Sequence, residues 1–96
     1  MQEGRMEIAR VFDGKGWTPE QYDALIEKMN LGGHSAPGVL FHWAAATPEG
    51  MRAVDVYESR EAADRLVQEK VGPAAAELGL PLPEISEFEV HAILKP

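Results

Sequence analysis

The stretch VLFHWAAATPEGMRAVDVYE, residues 39–58, determines how the rest of the chain is interpreted. Two apolar, β-prone runs, 39–46 and 51–58, flank the segment TPEG, whose Pro and Gly are typical of a tight turn. Two such runs on either side of a short turn predict a β-hairpin. We therefore expect two adjacent antiparallel strands in the middle of the chain.

The flanking sequence adds a strand and a helix on each side of this hairpin. Thr18 and Gln21 form a capping-box pattern, Ser59 is a second N-cap candidate, and Gly79 is a helix-stop signal. Apolar residues recur at helical spacing after both caps and alternate near the end of the chain. The predicted elements are, in chain order, a strand over 6–12, a helix over 19–31, the hairpin, a helix over 60–71 with a short helical extension over 73–78, and a strand over 85–94.

The predicted order, β-α-β-β-α-β, is that of the ferredoxin-like α+β fold. In this fold a four-stranded antiparallel sheet carries two helices on one face. Ninety-six residues are a common size for one domain, so we expect a single domain spanning residues 1–96. A chain of this length has a thin core, which a partner subunit would extend.

The hairpin turn also determines which side chains share a face of the sheet. A symmetric turn pairs Ala46 with Met51, Ala44 with Ala53, His42 with Asp55 and Leu40 with Tyr57, all on one face. The opposite face carries the larger apolar set: Val39, Phe41, Trp43, Val54 and Val56. Because two helices cover only one face, this set would stay exposed, which is typical of an interface. We therefore predict a homodimer formed through the sheet face.

The face beneath the predicted helices combines polar and small side chains: His42, Asp55, Tyr57, Leu40, Ala44 and Ala53. The alanines leave volume under the helices, which predicts a pocket for a small-molecule ligand. A carboxylate opposite a His holds one tautomer and raises the basicity of the ring, so His42 and Asp55 suit general-base chemistry near neutral pH. Tyr57 would be a wall or a proton donor. The alternative is a buried His that Asp55 satisfies for structural reasons.

The other histidines leave several alternatives open. His91 alternates with two glutamates in the last strand, and it either joins the pocket as a ligand-binding residue or lies on the surface. His34, in a Gly-rich loop, is either a ligand-binding rim residue or an ordinary loop residue. His42, His91 and Asp55 could form a two-His-one-carboxylate metal site, and a haem ligand would have to be one of these histidines. Because no recognised metal signature is present, we expect no metal and no cofactor.

Composition argues against several classes of partner. The net charge is −7 and the nine Lys and Arg residues are scattered, which argues against binding nucleic acid or an anionic membrane. The chain has no Cys, so a thiolate nucleophile is excluded. No apolar run approaches the roughly 20 residues of a membrane span, and the first residues lack the apolar stretch of a secretion signal. We expect a cytoplasmic protein.

Several short segments resemble those of a known family: Pro37-Gly38, GVLFH at 38–42, DVYESREA at 55–62, and His91. Together with the element order, they resemble the dimeric α+β barrel superfamily over residues 6–94. Within it, the likeness is to antibiotic biosynthesis monooxygenase-like proteins and to short bacterial members with no assigned activity.

This resemblance implies a pocket between the sheet and the helices, with Tyr57, where the superfamily often has a Trp, and Asp55 facing it. Characterised relatives include cofactor-independent quinol oxygenases, haem-degrading oxygenases, and isomerases or lyases. The chain departs from the oxygenase pattern because a pocket Asn is missing, and Asn30 lies at the end of the first helix instead. We expect a small-molecule pocket protein for an apolar or aromatic molecule, and its enzymatic interpretation is a cofactor-independent monooxygenase or isomerase. The alternatives are a non-catalytic ligand-binding or interaction module and a haem-binding protein.

Overall fold

A computed structural model of the chain describes residues 6–94 and residue 96. Its elements are β1 (Ile8–Lys15), α1 (Pro19–Met29), β2 (Val39–Thr47), β3 (Gly50–Tyr57), α2 (Arg60–Leu66), a π-helical turn (Val67–Val71), α3 (Gly72–Glu77) and β4 (Glu84–Glu89). The four strands form an antiparallel sheet in the order β2-β3-β1-β4, with the helices on one face. The predicted ferredoxin-like α+β fold is confirmed.

Both helix starts form as the capping signals predict. Thr18 Oγ1 accepts the Gln21 N–H at 3.1 Å, and the Gln21 side chain accepts the Thr18 N–H at 2.8 Å. Ser59 Oγ accepts the Ala62 N–H at 3.1 Å. These bonds satisfy amide groups that lack a partner in the first helical turn, and so they define where each helix begins.

The predicted second helix and its extension form one helical stretch over residues 60–77. The π-helical turn lies immediately before Pro73, and its last bond runs from the Gly72 N–H to the Val67 carbonyl oxygen. Proline has no N–H to donate, so the helix is expected to be irregular at this point. The first helix ends at Met29 rather than at residue 31, because Asn30 adopts a left-handed conformation with φ 56°.

The hairpin register is confirmed at three of the four predicted pairs: Ala46 with Met51, Ala44 with Ala53 and His42 with Asp55. The predicted pairing of Leu40 with Tyr57 is wrong. An irregularity between Val39 and Phe41 adds one residue to β2, so that Val39 pairs with Tyr57 instead. As a result Val39 packs against the core beneath the helices, and Leu40 is 43% exposed.

The outer strands differ from the predicted ranges. β1 continues to Lys15, because its last residues pair with the start of β3. β4 ends at Glu89 rather than at residue 94, since Glu89 is already opposite Ile8, the first residue of β1. The predicted strand over 85–94 is therefore wrong after Glu89.

The core lies between the sheet and the helices. Its buried members are Ile8, Trp17, Leu25, Met29, Ala36, Tyr57, Ala63, Leu66, Ala74 and Ala75. Burying each large apolar side chain stabilises the fold by about 1.5–3 kcal/mol. Among the residues that the structure describes, no helix has the length and apolar character needed to cross a bilayer.

We predict that Gly50→Ala lowers the free energy of unfolding by about 1–3 kcal/mol. A Cβ atom at residue 50 would lie 2.1 Å from the Gly14 carbonyl oxygen and 2.8 Å from the Gly16 amide nitrogen, and these backbone atoms cannot move away without breaking the β1–β3 pairing. Urea unfolding measures the effect. The control is Gly33→Ala, because Gly33 also has a positive φ but a Cβ there meets no atom within 4 Å. Equal stability of the two variants would contradict the prediction.

Candidate functional site

A cavity of about 760 Å³ opens between α1, the loop over residues 30–38 and the sheet. This volume lies in the usual range for small-molecule sites, roughly 300–1,000 Å³. Its walls are mostly apolar, and they include Leu25, Ile26 and Met51. Such a cavity favours an apolar or aromatic ligand over a strongly hydrated one.

His42 and Asp55 meet on the cavity wall. They are directly opposite each other on β2 and β3, and Nδ1 of His42 is hydrogen-bonded to Oδ1 of Asp55. Asp55 is only 7% exposed. Its second carboxylate oxygen, Oδ2, accepts the hydroxyl hydrogen of Tyr57 at 2.6 Å. Both carboxylate oxygens are therefore engaged, as a buried charge requires.

Tyr57 lies behind this pair rather than in the cavity. It is fully buried, with 0% exposure, and it is not among the residues that line the cavity. Burial, followed by the hydrogen bond to Asp55, raises the pKa of the Tyr57 hydroxyl far above its ordinary value. Tyr57 therefore stays a hydrogen-bond donor to Asp55 across the physiological pH range.

Tyr22 completes the polar group from the opposite side of the cavity. It lies in the first turns of α1 and lines the cavity, and its hydroxyl oxygen is 2.5 Å from Nε2 of His42. The two rings are nearly parallel, with an interplanar angle of 5° and centroids 6.0 Å apart. Burial, and then the charge of Asp55, raises the pKa of the Tyr22 hydroxyl. Tyr22, His42, Asp55 and Tyr57 thus form a continuous hydrogen-bonded chain, which we call the relay.

A second polar cluster lies beside the relay. Arg10 is opposite Asp55 in the sheet register, but its guanidinium donates to Glu87 at 2.9 Å and to Asp64 at 2.8 Å. Arg60 also donates to Glu87, at 2.7 Å, and the bonds from Arg60 and then Arg10 hold the pKa of Glu87 below its ordinary value. Because two carboxylates already engage Arg10, its charge is not presented to the cavity.

The structure places only some of the predicted site residues in the cavity. Five of them line the cavity: His42, Asp55, Leu40, Ala53 and His34. Ala44 and His91 are not among the lining residues, and His91 is exposed beyond the end of β4. No cluster of three or more His, Asp or Glu side chains able to hold a metal ion occurs among the described residues. The metal alternative built on His91 therefore has no structural support.

Tyr22 and Trp17 line the cavity and are outside the site residues predicted from the sequence. The signal that could have identified Tyr22 is its hydroxyl, because a Tyr in the apolar stripe of a helix brings a polar tip to whatever the helix covers. In the structure Trp17 lines the cavity, and its Nε1 donates to the Pro81 carbonyl oxygen at 3.1 Å, which ties the α1 entrance to the connector before β4.

No family model matches the chain, and no curated protein matches it. Solved structures do. A Chloroflexus aurantiacus protein that carries the name of an antibiotic biosynthesis monooxygenase is similar with a TM-score of 0.66 and 24% identity, covering 93% of this chain and 97% of that one. SnoaB, a cofactor-independent oxygenase from Streptomyces nogalater, is similar with a TM-score of 0.65 and 20% identity, covering 95% of this chain and 99% of that one.

A monooxygenase from Streptomyces coelicolor, solved with the ligand nanaomycin D, is similar with a TM-score of 0.52 and 22% identity, covering 94% of this chain and 91% of that one. Identities this low show a shared fold and leave activity to be argued from the site. The chain therefore shares the fold of antibiotic biosynthesis monooxygenase-like structures, as the resemblance seen in the sequence implies.

Proposed function

We propose that this protein is an enzyme that acts, without a cofactor, on a small apolar or aromatic molecule, with His42 as the general base. The observation that carries the proposal is the relay: a His with an oriented carboxylate behind it lies on the wall of an apolar cavity. A His that is oriented by a carboxylate can accept a proton and pass it on later.

Asp55 and Tyr57 act as positioning residues in this proposal. The Asp55 carboxylate accepts the Nδ1 hydrogen of His42, which leaves Nε2 as the basic atom of the ring. Tyr57 donates to the other oxygen of Asp55 and keeps the carboxylate in place. When His42 takes up a proton, the Asp55 charge stabilises the imidazolium, as the carboxylate of a catalytic triad does.

The reaction that we propose is oxygenation of an acidic C–H or of its enol. His42 receives the proton, and the electron pair stays on the substrate as a carbanion or enolate. This electron-rich anion transfers one electron to O2, and the substrate radical and superoxide combine to a peroxide anion. The proton returns from His42 to give a hydroperoxide, and loss of water leaves a carbonyl. In total one CH2 and one O2 become one C=O and one H2O. Return of the proton to a different carbon without O2 would be an isomerisation.

The fold comparison supports the oxygenase side of this proposal. One neighbour in structure is named as a cofactor-independent oxygenase, and another is a monooxygenase solved with nanaomycin D. These structural neighbours favour an aromatic substrate. The catalytic residues that we propose are those of the relay in this chain.

We also propose that the protein works as a homodimer joined through the outer face of the sheet. Trp43 and Phe88, which alternate away from the helix side, are 51% and 56% exposed. At the edge of the same face Arg52 is paired with Asp13 at 2.6 Å, so this ion pair adds no net charge there. A second copy that covers these aromatic rings would gain apolar burial.

We predict that His42→Gln lowers the rate of anthrone oxidation to anthraquinone by about 100- to 10,000-fold, because the general base is removed. The measurement is anthraquinone absorbance and O2 uptake after subtraction of the rate without protein. His91→Gln is the matched control and should retain the rate, since His91 is exposed and outside the cavity.

A folded His42→Gln variant with an unchanged rate would contradict the role of His42. If the unaltered protein binds anthrone, as judged by a thermal shift, but does not oxidise or isomerise it, the ligand-binding module becomes the better account.

We predict that Trp43→Glu converts the dimer to a monomer, because a carboxylate in a desolvated apolar interface is costly. Sedimentation velocity at micromolar concentration measures the oligomeric state. Leu82→Glu is the control, since Leu82 is 92% exposed in the connector before β4. A monomeric unaltered protein would contradict the proposed interface.

A further inference from the structure

Both ring nitrogens of His42 are already engaged. Nδ1 is bonded to Asp55, and Nε2 is 2.5 Å from the Tyr22 hydroxyl oxygen. Asp55 is held by two donors, the His42 ring and the Tyr57 hydroxyl, so Nδ1 carries the hydrogen and Nε2 is the acceptor. The Tyr22 hydroxyl therefore donates to Nε2, and no ring nitrogen is left to contact a ligand.

We propose that Tyr22 is the catalytic residue that meets the substrate: its phenolic oxygen accepts the proton of a neutral phenol or enol, while its own proton passes to Nε2 of His42. This inference rests on the proposed function, because it assigns the first contact in the same proton transfer. It replaces direct contact between His42 and the substrate with contact through Tyr22.

The transfer balances without a further reactant. The substrate O–H bond breaks and a new O–H bond forms on Tyr22, while the original Tyr22 O–H bond breaks and an N–H bond forms on His42. The electron pair of the broken bond stays on the substrate oxygen, which becomes a phenolate or enolate. Tyr22 is neutral before and after the step, and no atom is oxidised or reduced.

The geometry suits this exchange. The Tyr22 and His42 rings are within 5° of parallel, so the hydroxyl can lie close to the ring plane that contains the Nε2 lone pair. Burial raises the pKa of Tyr22, so its hydroxyl keeps a proton to donate at neutral pH. Tyr22 also lines the cavity, where its oxygen can accept a second hydrogen bond.

The charges around the cavity favour a neutral substrate. Glu27 and Asp55 are carboxylates that line it, and none of the lining residues in the described part of the chain is Lys or Arg. Arg10, which is opposite Asp55 in the sheet register, is engaged by Glu87 and Asp64. A substrate that carries its own carboxylate would meet repulsion with no cation to offset it.

The test compares two variants that each remove one phenolic oxygen from the relay, Tyr22→Phe and Tyr57→Phe. With anthrone, whose enol tautomer is a phenol, Tyr22→Phe should lower kcat by about 100-fold or more with little change in KM. Tyr57→Phe should lower kcat less, by roughly tenfold, because Tyr57 does not touch the substrate. Thermal unfolding confirms that both variants are folded.

The outcomes separate the two proposals. If Tyr22→Phe retains full activity or becomes faster while His42→Gln is inactive, the role of Tyr22 is overturned and His42 remains the base that the substrate contacts. If His42→Gln is also fully active, the proposed function fails as well.

A second readout needs no turnover. The absorbance of bound naphthol measures its pKa, which the unaltered protein should lower. In the Tyr22→Phe variant the pKa of bound naphthol should be higher than in the unaltered protein by at least about one unit. Naphthol that ionises identically in both proteins would overturn the inference, and so would tighter binding of a naphthoic acid than of naphthol.

Discussion

The buried Asp55 carboxylate is the constraint on which the rest of the site depends. A charge with so little contact with water is tolerated only when its oxygens have partners, and His42 and Tyr57 supply them. That requirement orients the imidazole, and the imidazole in turn holds the Tyr22 hydroxyl of α1 against the sheet. The hairpin register and the position of α1 are thus linked by a single hydrogen-bonded chain.

Much of this arrangement follows from the sequence, because a short turn and strict alternation leave few choices. The TPEG turn was enough to pair His42 with Asp55 and to turn both toward the helices. The prediction failed at Leu40, since an extra residue in a strand leaves no pattern that alternation can detect. The last strand was predicted too long because its alternation continues beyond the end of its partner, β1.

The cavity was harder to predict than the sheet. Alternation assigns Tyr57 to the helix side of the sheet, but it does not show that Tyr57 lies behind Asp55 and outside the cavity. Tyr22 satisfied the helical pattern as an apolar residue, so periodicity gave no reason to consider its hydroxyl. The contact between Tyr22 and His42 depends on how α1 packs across the sheet, and packing of this kind is a property of the tertiary structure. Fold neighbours share the architecture, but the chemistry belongs to these particular side chains.

The most direct test of this account is the protonation state of the His42 ring, measured by long-range ¹H–¹⁵N NMR correlation at neutral pH. We predict that the ring hydrogen is on Nδ1 and is donated to Asp55, and that a bare Nε2 accepts the Tyr22 hydroxyl. A ring with its hydrogen on Nε2, or one whose signals do not respond to Asp55→Asn, would contradict it.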